Sequence, residues 1–255
     1  MDRSPVFSAI KALRSGKPFT GDDVVAIDTL LTNLGIGQSD GPKNTAVKIG
    51  LTAQDFLQVA GRLGCSVAQI KAVWEVESGG GWFKDVRADI LALDGPGGFL
   101  DGPHLPKILF EAHVFDRFTE GRYRASHPNL SSAKWNTKLY VGGQGEYTRL
   151  WSAMKLDHNA ALLSASVGGA QIMGFNHQAA GFATVQGFWD AMKVSERAHL
   201  DAFGSFITSK KLNAALKNVS TSPATCEAFA KGYNGGSYAK HNYHGRIAKA
   251  YARYA

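Results

Sequence analysis

The 255-residue sequence has few cysteines: Cys65 and Cys226 are the only ones. Two thiols so far apart in a chain of this size predict folding in a reducing compartment. There each would serve as a small apolar side chain rather than as a reactive group. A single disulfide between them stays open as the alternative.

Long apolar runs are also absent, which excludes a protein with membrane-spanning helices. No stretch approaches the roughly 20 apolar residues that a membrane-spanning helix needs. The opening Met1-Asp2-Arg3-Ser4-Pro5 does not resemble the start of a signal peptide, because no apolar run follows the basic residue. We therefore expect no stable membrane insertion, and a protein that stays in the cytoplasm unless another protein provides an exit.

Basic residues are in excess but are not clustered. The chain has 28 Lys and Arg against 21 Asp and Glu, a formal net charge of +7 and a pI of about 9.4. Such a surface attracts polyanions such as nucleic acid, acidic membrane or the bacterial envelope, although a diffuse solvated charge is the simpler interpretation. Because no run of Lys and Arg reaches five residues and no nucleic-acid module is apparent, we expect no nucleic-acid partner.

The histidines do not form a metal-binding pattern. His241 and His244 lack the spacing of zinc motifs, and no His-Glu-x-x-His occurs. A serine nucleophile is equally unsupported, because no Gly-x-Ser-x-Gly is present. We predict neither a metal nor a cofactor.

The patterns that are present indicate a mainly α protein. Residues 1–36 show two short helical repeats of apolar residues, residues 37–50 form a Gly- and Asp-containing linker, and residues 51–255 form the main domain. Few stretches alternate with the period of a strand. The segment 84–145 is the least regular, and within it Ile108–Phe118 predicts either a helix or a strand.

Two helix starts are marked by capping boxes at the beginning of the main domain. Thr52 is followed three residues later by Asp55, and Ser66 is followed by Gln69. Each box predicts a helix that begins directly after its first residue, Thr52 or Ser66.

Glu77 is the first candidate for chemistry. It continues the helical stripe of Ile70, Val73 and Trp74, at the end of the helix and before three glycines, whereas Glu75 should face solvent. Burial and the negative end of a helix dipole both raise the pKa of a carboxyl group, and cleavage of a glycosidic bond needs such a protonated acid. The alternative is a helix-end Glu that points to water before a glycine cap.

Several further stretches, in order, resemble the motif set of the lysozyme superfamily. The chain is most similar to the N-acetylmuramidase family that is common in phage endolysins, and the similarity extends over roughly Leu51 to Tyr254. The stretches that carry it are Ala72–Phe83, Ile108–Phe115, Gly145–Leu150, Ser164–Gly174 and Gly232–Gly235.

The resemblance implies a lysozyme-like helical domain and a role for each matched residue. Glu77 is the general acid. Ser166 and Gln171 lie on a turn that lines the cleft, and Tyr233 with Asn234 faces the cleft from the opposite wall. Val167 stands where this family leads us to expect Trp, so one packing contact is absent. No N-terminal peptidoglycan-binding module is expected, because residues 1–50 are too short for one.

A second carboxylate is suggested by the Phe-Glu-x-His-x-Phe stretch, in which Glu111 precedes His113 by two residues. An inverting enzyme needs a base about 6.5–9.5 Å from its acid. Glu111 is a candidate for that base and His113 for substrate binding. A structural ion pair of Glu111 with His113 or Arg117 is the alternative, and Glu146 is a weaker candidate.

The tryptophans predict core positions with one exception. Trp82 follows the glycine run after Glu77, so it is the candidate for stacking on a sugar ring. Trp135 and the other tryptophans are expected to be buried.

Taken together, these features predict a monomeric phage endolysin that hydrolyses the β-1,4 bond between N-acetylmuramic acid and N-acetylglucosamine in peptidoglycan glycan strands. It would collect in the host bacterial cytoplasm and reach the periplasm and cell wall through a holin. A lytic transglycosylase acting on the same bond, a non-catalytic wall-binding or phage structural protein, and a chitinase are the alternatives.

Overall fold

The computed structural model describes residues 50–78, 81–83, 86–93, 99 and 105–255. This part of the chain contains eleven α-helices and one small sheet, so the mainly α prediction is confirmed. The helical segment predicted over residues 1–36 lies outside the described residues, as does the linker predicted over 37–50 apart from Gly50. None of the described helices has the length and apolar character to cross a membrane.

The described helices and strands are numbered here in chain order. The helices are α1 (Ala53–Leu63), α2 (Val67–Glu77), α3 (Ala88–Leu91), α4 (Ala112–Phe118), α5 (Gly145–Leu156), α6 (His158–Leu163), α7 (Val185–Val194), α8 (Glu196–Ser209), α9 (Asn213–Lys217), α10 (Pro223–Asn234) and α11 (Tyr243–Tyr251). The strands are β1 (Ile108–Phe110), β2 (Ala165–Val167) and β3 (Ile172–Met173), and short 3-10 helices cover Thr137–Leu139, Gly174–Asn176 and Gly235–Ser237.

Both predicted capping boxes are present at the starts of α1 and α2. The Thr52 hydroxyl accepts the backbone N–H of Asp55, whose carboxylate accepts the N–H of Thr52 at 2.7 Å. Ser66 and Gln69 make the same reciprocal pair. Capping satisfies N–H groups that have no partner inside a helix, which is why these four residues fix where α1 and α2 begin.

The segment Ile108–Phe118, which the sequence left as helix or strand, contains one of each. Strand β1 runs antiparallel to β2, with Leu109 opposite Ser166, and β2 pairs in turn with β3. Glu111 then occupies the N-cap position of α4, with extended backbone and no capping bond from its side chain. The strands have only two or three residues, too few to show the alternation by which a strand is recognised in sequence.

One hydrophobic core joins these elements. Its largest fully buried side chains come from α4, α5, α7, α8, α10 and β1, and they include Trp189, Tyr147, Phe110, Phe115, Phe188, Phe203 and Phe229. The apolar residues of α2 belong to it, since Ile70 and Val73 are fully buried. The stripe that leads to Glu77 is therefore part of the core.

Helix α11 packs against both α2 and α10, and so holds the ends of those two helices together. On the outer side of α2, Glu75 is exposed, as predicted, and bonds to Arg253 and to the Tyr254 hydroxyl. The C-terminal residues thereby fasten the helix that ends at Glu77.

Cys65 and Cys226 are both free thiols, which removes the disulfide alternative. Cys226 is buried in α10, and burial raises the pKa of the Cys65 thiol to about 11. A thiol that stays protonated is a poor nucleophile, so Cys65 serves as a small apolar side chain.

Candidate active site

Glu77 is the last residue of α2, and its side chain is partly buried. Burial raises the pKa of its carboxyl group from 4.5 to about 7, because removal from water disfavours the anion. A hydrogen bond from Asn234 and the positive charge of Arg246 oppose this rise without cancelling it. At neutral pH a large fraction of Glu77 therefore carries a proton that it can donate.

The end of α10 lies beside Glu77. Asn234 Nδ2 donates to Glu77 Oε1 at 2.9 Å, and the Tyr233 hydroxyl donates to the carbonyl oxygen of Ala170 at 3.3 Å. Burial raises the pKa of Tyr233 well above its usual value, and the nearby negative charge of Glu77 adds to this effect. Tyr233 hence remains a neutral donor at any physiological pH.

The turn between β2 and β3 brings Ser166 and Gln171 together. Ser166 Oγ donates to Gln171 Oε1 at 2.8 Å, and Gln171 Nε2 donates to the carbonyl oxygens of Gly168 at 2.8 Å and Lys107 at 3.0 Å. Gln171 has a left-handed backbone (φ 47°) at this turn. The Gln171 amide thus braces the turn, and Ser166 lies beneath it with 6% of its surface exposed.

Close packing places this turn against the end of α2. A Cβ atom on Gly169 would lie 2.7 Å from the Trp74 ring and 3.5 Å from Ser78 Cβ, so only glycine allows the approach. The Tyr233 bond to Ala170 joins the same turn to α10. The three stretches that the sequence singled out around Glu77, Gln171 and Tyr233 are therefore brought together.

Buried His199 on α8 supports this junction. Its Nδ1 accepts the backbone N–H of Gly169 at 3.1 Å, and its Nε2 lies 2.7 Å from the carbonyl oxygen of Met192. Burial lowers the pKa of His199 to about 4, so the ring is neutral, with its proton on Nε2. A Cβ on Gly81 would collide with the same ring, so His199 contacts the chain on both sides of the site.

Glu111 lies in a separate group of polar contacts. The Tyr140 hydroxyl is 2.9 Å and 2.8 Å from the two carboxylate oxygens of Glu111, and His113 Nδ1 is 3.2 Å from Oε2. Glu111 therefore contacts His113, one of the two partners predicted for it, and no ion pair with Arg117 accompanies this contact among the described residues. In the same residues no hydrogen bond or ion pair joins Glu111 to Glu77, so a role as second catalytic carboxylate stays a prediction.

Glu146, the weaker candidate, is fully buried in an ion pair with Arg149 at 2.8 Å. Its carboxylate also accepts the backbone N–H groups of Val141 at 2.7 Å and Gly142 at 2.9 Å. Because its carboxylate is occupied by these partners, Glu146 has a structural role: it fixes the loop that precedes α5.

The tryptophans differ from expectation. Trp82 is 8% exposed and its ring stacks on His199 at a centroid distance of 5.2 Å, so its predicted role in sugar stacking is disfavoured by burial and stays a prediction. Trp135, expected in the core, is 64% exposed, and that expectation is wrong. Its indole N–H donates to the Tyr140 hydroxyl at 2.8 Å, which holds the ring at the surface.

Val167 is 1% exposed and pairs with Ile108 across the sheet, so the smaller residue is packed in the core. Three functional candidates went unnoticed in the sequence: His199, Tyr140 and Arg246. Each acts through a partner far along the chain, and no local pattern marks it.

The arrangement supports acid catalysis by a carboxyl group. Glu77 is a partly buried acid with a proton available near neutral pH, and its carboxyl group accepts a hydrogen bond from the Asn234 amide. No group of three or more His, Cys, Asp or Glu that could hold a metal ion occurs within the described residues.

Comparison with known proteins gives two findings. The model of a muramidase family, described as N-acetylmuramidase, matches residues 66–255. The crystal structure of Burkholderia AP3 phage endolysin is similar, with a TM-score of 0.67 and 33% sequence identity over 89% of this chain and 77% of that chain. No curated protein sequence gives a significant match. The structural similarity confirms the lysozyme-like helical fold, and the matched range contains every residue of the candidate site.

Proposed function

The chain belongs to the N-acetylmuramidase family of peptidoglycan hydrolases, and from this premise we propose that it cleaves the β-1,4 bond between N-acetylmuramic acid and N-acetylglucosamine with Glu77 as general acid. The observation that carries the proposal is the partly buried carboxyl group of Glu77, which ends α2 and accepts a hydrogen bond from Asn234 at the end of α10. Burial raises the pKa of this group to about 7.

In the proposed reaction, Glu77 gives its proton to the bridging oxygen as the bond from that oxygen to C1 of the muramic acid breaks. A water molecule adds its hydroxyl to C1, and the proton that it loses restores the acid form of Glu77. Asn234 holds the Glu77 carboxylate through its amide and favours the anion formed after proton transfer. Gln171 and Ser166 brace the β2–β3 turn, and Tyr233 ties that turn to α10.

A lytic transglycosylase is the second candidate, because it needs only one carboxylate. Among the described residues the polar contact of the Glu77 carboxylate is to an amide, and a second carboxylate is not among its partners. In that reaction the muramic acid C6 hydroxyl, instead of water, would form the new bond to C1 and give a 1,6-anhydro product.

Product analysis of purified sacculi separates these reactions. A muramidase releases fragments that end in a reducing N-acetylmuramic acid, which borohydride converts to the alcohol. A transglycosylase releases fragments lighter by one water, which borohydride does not reduce. Fragments that end in reducing N-acetylglucosamine would contradict the proposed bond, and clearance of sacculi by Glu77→Gln at the wild-type rate would contradict the role of Glu77. Wild-type protein that binds sacculi and releases no fragments would favour a non-catalytic wall-binding protein.

We further propose that the protein acts in bacterial lysis, because the similar Burkholderia phage protein is an endolysin. It would be held in the host cytoplasm until a holin opens the inner membrane, and would then reach the wall. The net charge of +7 would draw it to the anionic envelope. Lysis whose rate is the same at low and high salt would contradict this role of the charge.

A further inference from the structure

Four side chains form a contiguous polar and aromatic group at the end of β1, which we call the Trp135 cluster: Glu111, His113, Trp135 and Tyr140. The indole N–H of Trp135 donates to the Tyr140 hydroxyl, and that hydroxyl donates to the Glu111 carboxylate. His113 Nδ1 also contacts this carboxylate, at Oε2. The proposed acid chemistry of Glu77 uses none of these groups.

The ring of Trp135 lies open at the surface. It is 64% exposed, whereas the Glu111 side chain is 15% and the His113 side chain 35% exposed. An indole left in water forgoes the stabilisation that burial of its large apolar surface would give. The hydrogen bond to Tyr140 nevertheless fixes the orientation of the Trp135 ring, so the exposed ring is held in one position.

The loop that carries Tyr140 is anchored by buried charge. Glu146 accepts the backbone N–H groups of Val141 and Gly142, directly after Tyr140, and is itself paired with Arg149. A buried ion pair stabilises a fold little compared with apolar packing. Here it sets the position of Tyr140, and through Tyr140 that of the other members of the cluster.

The chemistry of the cluster selects a neutral ligand that is rich in hydrogen-bond donors. A carboxylate has about four acceptor positions, and Tyr140 and His113 leave part of that capacity on Glu111 free. Its negative charge disfavours phosphate and carboxylate ligands. A flat ring beside a hydrogen-bond acceptor suits a sugar, whose C–H face stacks on the ring and whose hydroxyl and acetamido N–H groups donate.

The cluster lies at the end of the sheet face that carries Ser166. Ser166 pairs with Leu109 on β1 and with Met173 on β3, and Leu109 and Met173 are partly exposed while their neighbours in the strands are buried. Glu111 lies two residues beyond Leu109, about 7 Å along the chain, so its side chain leaves from the same face. A glycan strand held against Ser166 would reach the cluster by following this face.

We infer that the Trp135 cluster is a glycan-binding subsite, separate from the bond that is cleaved, which takes one N-acetylhexosamine unit with Trp135 as stacking surface and Glu111 as hydrogen-bond acceptor. The inference rests on the proposed function for the identity of the ligand. It assigns Glu111 to substrate binding instead of to the role of catalytic base.

Binding measured without cleavage tests the subsite. Glu77→Gln protein is titrated by calorimetry with peptide-free peptidoglycan oligosaccharides of two, four and eight sugars. Adding Trp135→Ala should weaken binding of the longest oligosaccharide about tenfold and that of the disaccharide least. Adding Val194→Ala, which also removes an exposed apolar side chain but lies on α7, is the matched control and should leave all three affinities unchanged.

The result overturns the inference if Trp135→Ala weakens all three oligosaccharides equally, or none. It is also overturned if the Glu77→Gln protein binds no oligosaccharide. Failure of the proposed function appears elsewhere, as wild-type protein that binds oligosaccharides but releases no reducing ends from sacculi. The two claims can therefore fail separately.

The role of Glu111 is decided by the kinetics of variants in which Glu77 is intact. As a binding residue, Glu111→Gln should raise KM and lower kcat less than tenfold, and Tyr140→Phe, which removes the hydroxyl bond and keeps the ring, should do the same more weakly. A fall of kcat by about 10²–10⁴ with unchanged KM would show general-base catalysis and overturn the assignment. Melting temperatures within a few degrees of wild type establish that the variants are folded.

Discussion

The raised pKa of Glu77 has a consequence for stability that can be measured without any substrate. The rise from 4.5 to about 7 corresponds to about 3 kcal/mol, at 1.36 kcal/mol for each tenfold change in proton affinity. Between these pH values the folded state binds more protons than the unfolded state, so this group makes stability fall as the pH rises. Above pH 7 the folded protein carries the full penalty of a partly buried anion, which Glu77→Gln removes.

Glu77→Gln should therefore match wild type near pH 4 and exceed it by about 3 kcal/mol near pH 8. The comparison must be between variants, since His199 acts in the opposite direction. Its pKa is lowered from 6.5 to about 4, so its contribution to stability is lost as the pH falls through that range. The two effects offset each other in the pH profile of the wild-type protein alone.

Urea unfolding at both pH values measures this difference. With a slope of about 1–3 kcal/mol per molar urea, the midpoint of Glu77→Gln should lie about 1–3 M above that of wild type at pH 8. Glu75→Gln is the matched control on the same helix, because Glu75 is exposed and its ion pair should be worth less than about 1 kcal/mol. An equal difference between Glu77→Gln and wild type at pH 4 and pH 8 would refute the assigned environment of Glu77.

Three further changes should have distinct effects. Asn234→Ala removes a bond that lowers the pKa of Glu77, so the basic limb of the kcat/KM profile, expected near pH 7, should move up by roughly one pH unit; a downward move would contradict this. Glu146→Ala leaves Arg149 buried without its partner and should lower the free energy of unfolding by about 3–5 kcal/mol, measured by urea titration; a change under 1 kcal/mol would count against the buried pair. Gly169→Ala forces a methyl group against a ring 2.7 Å away, so it should cost about 1–3 kcal/mol of stability in the same titration and lower kcat, and wild-type values of both would refute the close packing of the turn.

Local chemistry made part of this protein predictable from its sequence. The capping boxes at Thr52 and Ser66 use residues three apart, and they begin α1 and α2 as expected. The helical phase of Glu77 relative to Ile70 and Val73 placed its side chain on the buried side of α2 for the same reason. Such interactions need only one turn of chain, so the sequence displays them directly.

Contacts between residues far apart in the sequence could not be predicted from it. His199 reads as one polar residue in an amphipathic helix, yet it binds the turn at Gly169, thirty residues away in the chain. Tyr140 meets Glu111 across 29 residues, and the same Tyr140 hydroxyl accepts the indole N–H of the exposed Trp135. Burial of a tryptophan depends on what packs over it, which composition does not reveal. Strands β2 and β3 were missed, because their pairing and not their residue pattern defines them.

The central claim is that Glu77 is the proton donor for glycan cleavage, and the most direct measurement is the rate of release of reducing ends from purified sacculi at pH 6. We predict that Glu77→Gln lowers this rate at least about 10²-fold, as loss of a general acid does, whereas Glu75→Gln stays near wild type. Both variants must show wild-type binding to sacculi and a wild-type circular dichroism spectrum. Release by Glu77→Gln at the wild-type rate would contradict the account.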